Sequence, residues 1–165
     1  SFGVASGFAR ILGAHYSVLT APIYLPDGID RNLFLSQFAL KEHFEKFKDL
    51  DAVLLTCSDV SEKSFLVEHG LPKELSPAGL EKVGAIGDVL GHFMDENGNS
   101  VSNEIEDRTV GMSLDQVKKV PEKIMAAAGP HKVNIIQAAC KRGWVDMLVT
   151  DDVTAKLILN TKNDI

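Results

Sequence analysis

KIMAAAGPHKVNIIQAACKRGWVDMLVTDDVTAKLILN, residues 123–160, decides the fold. KIMAAA (123–128) is a short apolar run of strand length, and Gly129-Pro130 turns the chain. Residues 131–142 have helical apolar spacing and Gly143 supplies the C-terminal stop. VDMLVT (145–150) is a second strand, and Asp151 caps a last helix over 152–160. Strand, helix, strand, helix at this spacing is a βαβα unit, whose two strands run parallel through a right-handed crossover. The class is α/β, with an open, mostly parallel sheet.

Outward from this unit the pattern continues. Residues 3–12 (GVASGFARIL) read as a helix stopped by Gly13, and 15–20 (HYSVLT) as a strand closed by Ala21-Pro22. The span 30–48 is helical, in one or two pieces. In it Phe34, Phe38, Phe44 and Phe47 stand near helical spacing, as core residues would, and Lys41, Glu42, Glu45 and Lys46 face water. AVLLTC (52–57) is a continuous apolar run, expected of a strand buried on both faces. Residues 60–70 are helix or loop. Ser76-Pro77 opens a helix over 77–83. GAIGDVLGHFMDENGNSV (84–101) is a glycine-punctuated loop, a strand, a turn and a return strand. Ser113, with Gln116 three positions on, predicts a capping box on a short helix.

Composition bounds the function. The chain has 165 residues, 45% apolar and 24% charged, with a mean hydropathy of +0.03. That describes one globular domain, 1–165, rather than a disordered chain. A net charge of −6 argues against this segment gripping a phosphate backbone by itself. No apolar run approaches the roughly 18–20 residues of a membrane span. Two cysteines, Cys57 and Cys140, imply no disulfide framework and point to a cytoplasmic protein. Ser1 stands inside an apolar stretch, so a preceding part of a longer protein is expected.

Ligands of open α/β sheets bind beyond the carboxyl ends of the strands. Four segments fall there: Thr56 to Asp59, Gly84 to Gly91, Gly129 to Lys132 and Thr150 to Asp152. Lys132 opens a helix, where free N–H groups and the helix dipole favour an anion. A lysine there is electrostatically misplaced unless an anion offsets it. It reads as a holder of phosphate or carboxylate, as a Schiff-base lysine if its pKa were lowered, or as a solvated side chain. Gly87 and Gly91 allow close approach of a ligand, and Asp88 offers a carboxylate to sugar hydroxyls; a plain structural turn is the other reading. Asp151, nearest the strand end, is a ligand contact or a cap. Asp95 to Glu106 imitates a calcium loop, but its sixth position is Ser100 where glycine is required, so no metal is expected. The histidines lack metal spacing, and neither Ser58 nor Cys57 sits in a nucleophile elbow. No cofactor is expected.

The order of these segments resembles the effector-binding domain of the sorbose-operon-regulator (SorC) and deoxyribonucleoside-regulator group of bacterial transcription factors. The group's pattern is a G-A-V-G-D-I loop, a phenylalanine strand, D-x-x-G, an I-G-[IL]-S-L-x-x-L segment, a lysine after a glycine turn, and L-I-T-D-E-x-T-A. Here these stand as Gly84 to Val89, Phe93, Asp95 to Gly98, Val110 to Val117, Lys132, and Leu148 to Ala155. GFARILGAHYSVLTAP also matches the group's helix and strand ending in Ala-Pro. Asp152 departs from the common Glu, and Gly129-Pro130 replaces a doubled glycine. The resemblance implies a Rossmann-like fold similar to the sugar-phosphate isomerase and coenzyme-A-transferase superfamily. It implies a non-enzymatic sensor of a sugar or sugar phosphate, with Gly87, Asp88, Lys132 and Asp151 at the ligand. Asp88 would bond hydroxyls, Lys132 would hold the phosphate or the acyclic sugar end, and Asp151 would orient Lys132 or bond a hydroxyl. Operator DNA would be met only through an upstream helix-turn-helix, and the regulator would be a homodimer or homotetramer.

Two rival readings remain. An isomerase or deaminase of the same superfamily would use Asp88 and Lys132 for proton transfer, but no further acid or histidine falls in the segments facing the site. A pure oligomerisation module would not need three glycine-rich or helix-start segments at the strand ends.

Overall fold

The computed structural model describes residues 3–72 and 75–160. Two small sheets share one chain segment. Strand β1 (Ala52–Leu55) belongs to a parallel sheet, and after Thr56 the chain enters β2 (Cys57–Ser58) of an antiparallel sheet. The antiparallel sheet has the order β2-β3-β4, with β3 at Gly87–Val89 and β4 at His92–Met94. The parallel sheet has the order β1-β5-β6, with β5 at Glu122–Ala126 and β6 at Met147–Val149.

The closing βαβα unit is as the sequence predicts. Between β5 and β6 lie a 3-10 turn (Pro130–Lys132) and helix α8 (Val133–Lys141), and helix α9 (Asp152–Asn160) follows β6. Ile124 pairs with Met147 and Ala126 with Val149 in parallel register. Gly143, at φ 77°, ends α8 in the left-handed conformation that a glycine adopts without strain. Upstream, β1 pairs in parallel with β5, Leu55 opposite Met125. The remaining helices are α1 (Gly3–Leu12), α2 (Arg31–Leu35), α3 (Phe38–Glu45), α4 (Phe65–His69), α5 (Pro77–Lys82), α6 (Asn103–Arg108) and α7 (Leu114–Lys119). Ser76 caps α5 through the Gly79 amide, and Ser113 and Gln116 form the expected capping box on α7.

Three expectations fail, each for a packing reason. Residues 15–20 form no strand: no described segment offers them a ladder, and His15, Tyr16, Val18 and Thr20 face solvent. The phenylalanines of 30–48 are not buried core residues, though Phe47 packs against the main core. A break at Ser36-Gln37 resets the helical phase, which leaves Phe38 78% exposed, and Phe34, Phe44 and Phe47 are half-buried. β1 is not buried on both faces. Leu55 is fully buried, but Leu54, on the opposite face, is 45% exposed.

The larger core lies on the covered face of the parallel sheet. Leu55 and Met125 pack there with Ile135, Ile136 and Ala139 of α8, Val117 of α7 and Trp144. A second cluster joins Tyr24, Leu66, Leu80, Phe93 and Ile105 beneath the antiparallel sheet. Helix α8 also packs on β2 and β3, so the two sheets are held on one helix.

Candidate functional site

The antiparallel sheet grows out of the carboxyl end of β1, so two of the four strand-end segments pair directly. Cys57 lies opposite Val89, and Ser58 opposite Asp88. β3 and β4 are joined by Leu90 and Gly91, with φ of 56° and 83°. Positive φ at both central residues is what a two-residue hairpin loop of the primed type requires, and at leucine it is strained. The Asp88 Oδ2 accepts the Gly91 amide at 3.0 Å. The Tyr24 hydroxyl donates to the Gly91 carbonyl at 2.5 Å, pinning the turn from its other side.

Beside this turn lies a cavity of about 320 Å³. Thr56, Cys57, Ser58 and Asp88 contribute its polar lining, Leu90 and Gly91 its rim, and Val110, Gly111 and Met112 one wall, with Ile23, Phe65 and Leu66 completing it. Asp88 is 6% exposed, and its Oδ1 has no hydrogen-bond partner. Burial pushes its pKa up to about 6, against the pull of the Gly91 amide, His92 and Lys132. An unsatisfied buried carboxylate oxygen is costly, and a ligand hydroxyl would satisfy it. Cys57 is buried, and its thiol is pushed up to about 11 by that burial, with Lys132 opposing the shift. Lys132 therefore acts electrostatically on both the thiol and Asp88. It is half-buried, at the end of the 3-10 turn that leads into α8, whose first turn no side chain caps.

The other two predicted residues have structural work. A Cβ on Gly87 would stand 2.3 Å from the Ser58 carbonyl oxygen and 2.8 Å from Ile135 Cγ1. The close approach that needs glycine here is that of β2 and α8. Asp151 is exposed, and its Oδ1 accepts the Thr154 amide at 2.6 Å, capping α9. The bonds to that amide and to the Thr154 hydroxyl hold its carboxyl below the usual range. It makes no hydrogen bond to Lys132. The structure thus brings Asp88 and Lys132 into one electrostatic neighbourhood, with Gly87 beneath them as packing and Asp151 on a neighbouring helix start.

Several contributors escape a sequence reading. Thr154 is fully buried and its Oγ1 accepts the Gly129 amide at 2.8 Å, which fixes the turn carrying Lys132. Its spacing from Asp151 signals only a cap. The 110–112 wall carries no chemical motif. His92, 2% exposed, sets its Nδ1 2.7 Å from Glu106 Oε2 and its Nε2 3.0 Å from the Met112 carbonyl oxygen. Nothing in the spacing of His92 and Glu106 announces that pair. Asp95, first position of the calcium-like loop, spends its Oδ1 on the Asn97 and Asn99 amides as a turn residue. Among the described residues no helix is long and apolar enough to cross a membrane.

Comparison with known proteins agrees with the resemblance read from the sequence. The deoxyribonucleoside regulator of Bacillus subtilis is 30% identical over 147 residues, covering 86% of this chain and 47% of that protein. The transcriptional regulator LsrR of Escherichia coli K12 is 40% identical over 79 residues, 47% of this chain and 25% of that one. The chain spans about half the length, or less, of these curated relatives. Among solved structures, a transcriptional regulator from Streptococcus pneumoniae TIGR4 superposes with a TM-score of 0.85 at 23% identity, covering 97% of this chain and 61% of that one. Full-length SorC, the sorbitol operon regulator of Klebsiella pneumoniae, gives a TM-score of 0.81 at 22% identity, covering 93% and 50%. At these identities the likeness shows the shared fold. The family profile described as "Putative sugar-binding domain" (Sugar-bind) matches residues 1–160, and the chain belongs to that family of domains.

Proposed function

We propose that this chain is the effector-sensing part of a bacterial regulator of carbohydrate use, and that it binds a sugar or sugar phosphate in the cavity at Asp88 without transforming it. The observation that carries this reading is Asp88, which lines a cavity with Thr56, Cys57 and Ser58 and whose buried Oδ1 lacks a partner. A polyhydroxyl ligand supplies donors to such an oxygen. Lys132, close enough to influence both Asp88 and Cys57, suits the anionic or carbonyl end of the ligand. Gly87 and Asp151 act in this reading as support, holding the hairpin against α8 and the start of α9. The parent regulator works in the cytoplasm, meets operator DNA through a separate helix-turn-helix, and assembles as a homodimer or homotetramer.

The rival reading, a sugar-phosphate isomerase or deaminase, draws on the same Asp88, because a carboxyl raised to about 6 has the basicity of a general base. Thermal shift against a panel of sugars and sugar phosphates, followed by a turnover assay on each hit, separates the two. A stabilising ligand recovered unchanged is the expected result. Product formation would establish the enzyme reading, and no stabilisation by any member would overturn both.

A further inference from the structure

His92 does not line the cavity, yet it is tied to two elements that shape it. It follows the Leu90-Gly91 turn directly, so its main chain is fixed by the same hairpin that presents Asp88. Its ring reaches away to α6, where Glu106 sits, and to the carbonyl of Met112, the last residue of the 110–112 wall. Both partners are acceptors. A carbonyl oxygen has no proton to give. At Glu106, burial works upward, but His92, the Ser100 hydroxyl and Arg31 together hold the carboxyl below its usual range, so it too accepts. The ring stands between the two acceptors, one nitrogen within hydrogen-bond distance of each.

We propose that His92 is a positioning residue which, by bridging Glu106 and the Met112 carbonyl, holds the 110–112 wall at a set distance from the Asp88 hairpin. The wall has two further ties: the Met112 side chain packs in the main core, and the 110 end is held from the opposite side. The Val110 amide donates to the Ile23 carbonyl at 2.7 Å, and Ile23 also lines the cavity. The main chain of the wall is therefore held between Ile23 and His92, with the Met112 side chain anchored in the core, and removing His92 loosens the main chain at Gly111 and Met112. Its bearing on effector affinity rests on the cavity being the effector site; the positioning itself does not.

Cys57 gives a readout that needs no ligand. It lines the same cavity as the wall and is 3% exposed, so its labelling rate by a thiol reagent reports opening of the cavity. In a Cys140→Ser background, His92→Phe removes both ring nitrogens at similar volume. Labelling of Cys57 should then accelerate about tenfold or more, the loss expected for hydrogen bonds to a charged group. Glu106→Gln, on a partly exposed residue, should accelerate it less. It also decides the matter if His92→Phe fails to fold. A control cysteine at Val117→Cys, buried in the main core and not part of the cavity lining, in a chain also carrying Cys57→Ser and Cys140→Ser, should keep its rate. Unchanged Cys57 labelling in the variants that fold, or equal acceleration at the control position, overturns the proposal. If a sugar from the panel binds the parent chain, its affinity should drop by a similar factor in the folded variants. If none binds, the effector reading falls and the labelling result still judges His92.

Discussion

Asp88 carries opposing demands on stability and binding. Its folded pKa of about 6 lies above the ordinary value of 3.8. The folded state therefore holds the proton more tightly than the unfolded chain. The associated stability is fully present below about pH 4 and is lost as pH rises through 6. A difference of that size corresponds to about 3 kcal/mol at most. Asp88→Asn should accordingly melt higher than the parent above pH 7, with the advantage vanishing near pH 4, while hydroxyl-bearing ligands bind about 1–3 kcal/mol more weakly. Melting curves from pH 4 to 8 beside calorimetric titration check both halves, and a variant that binds normally but melts lower would return Asp88 to the status of a turn residue. Lys132 is the contrary case. It is half-buried and outside both hydrophobic clusters, so Lys132→Met should change stability by no more than about 0.5 kcal/mol. It should remove binding of phosphorylated ligands while sparing neutral sugars, a difference visible in the same titrations.

At the scale of elements, the best-read features are those with local causes. The capping box of Ser113 and Gln116, the Ser76 cap, the Asp151 cap and the Gly143 stop are written within four residues of where they act, and all four stand in the structure. The parallel pairing of β5 with β6 was legible because one helix of ordinary length separates them. The antiparallel sheet was not. Cys57-Ser58 looks like the end of one apolar run, and only Thr56 separates its two allegiances. The Asp88 hairpin was half legible: the glycines marked a turn, but the true turn is Leu90-Gly91, and a leucine at positive φ has no sequence signature. At Gly87 the structure adds a packing demand that spacing does not show, since spacing cannot tell a ligand from a packed helix. Gly87→Ala would drive a methyl into the Ser58 carbonyl and Ile135, so β2 and α8 must part. We expect a loss of about 1–3 kcal/mol, with weaker ligand binding because Asp88 moves with its strand. A fully stable, fully binding Gly87→Ala protein would contradict the packing role.

The whole molecule leaves apolar surface in water. Leu54 and Met147 stand either side of Ile124 in register on the outer face of the parallel sheet, and Val149 extends the patch. Helix α1 adds Val4, Phe8, Ile11 and Leu12, each at least half exposed. Parallel sheets are ordinarily covered on both faces. The 165-residue chain should therefore self-associate with rising concentration, and Leu54→Lys with Met147→Lys should reduce that without lowering the melting temperature. Sedimentation velocity over a concentration series decides it, and a monomer at every concentration would contradict the expectation. The register of that sheet also governs the order of events in time. Ala52 meets Glu122 only after the intervening chain has been made, whereas Gly87 meets Met94 across a two-residue loop. Local pairings form in microseconds, while distant ones wait on loop closure. On the ribosome, the Asp88 hairpin can close while β1 still lacks its partner, so the turn that lines the cavity is born before the sheet that will carry it.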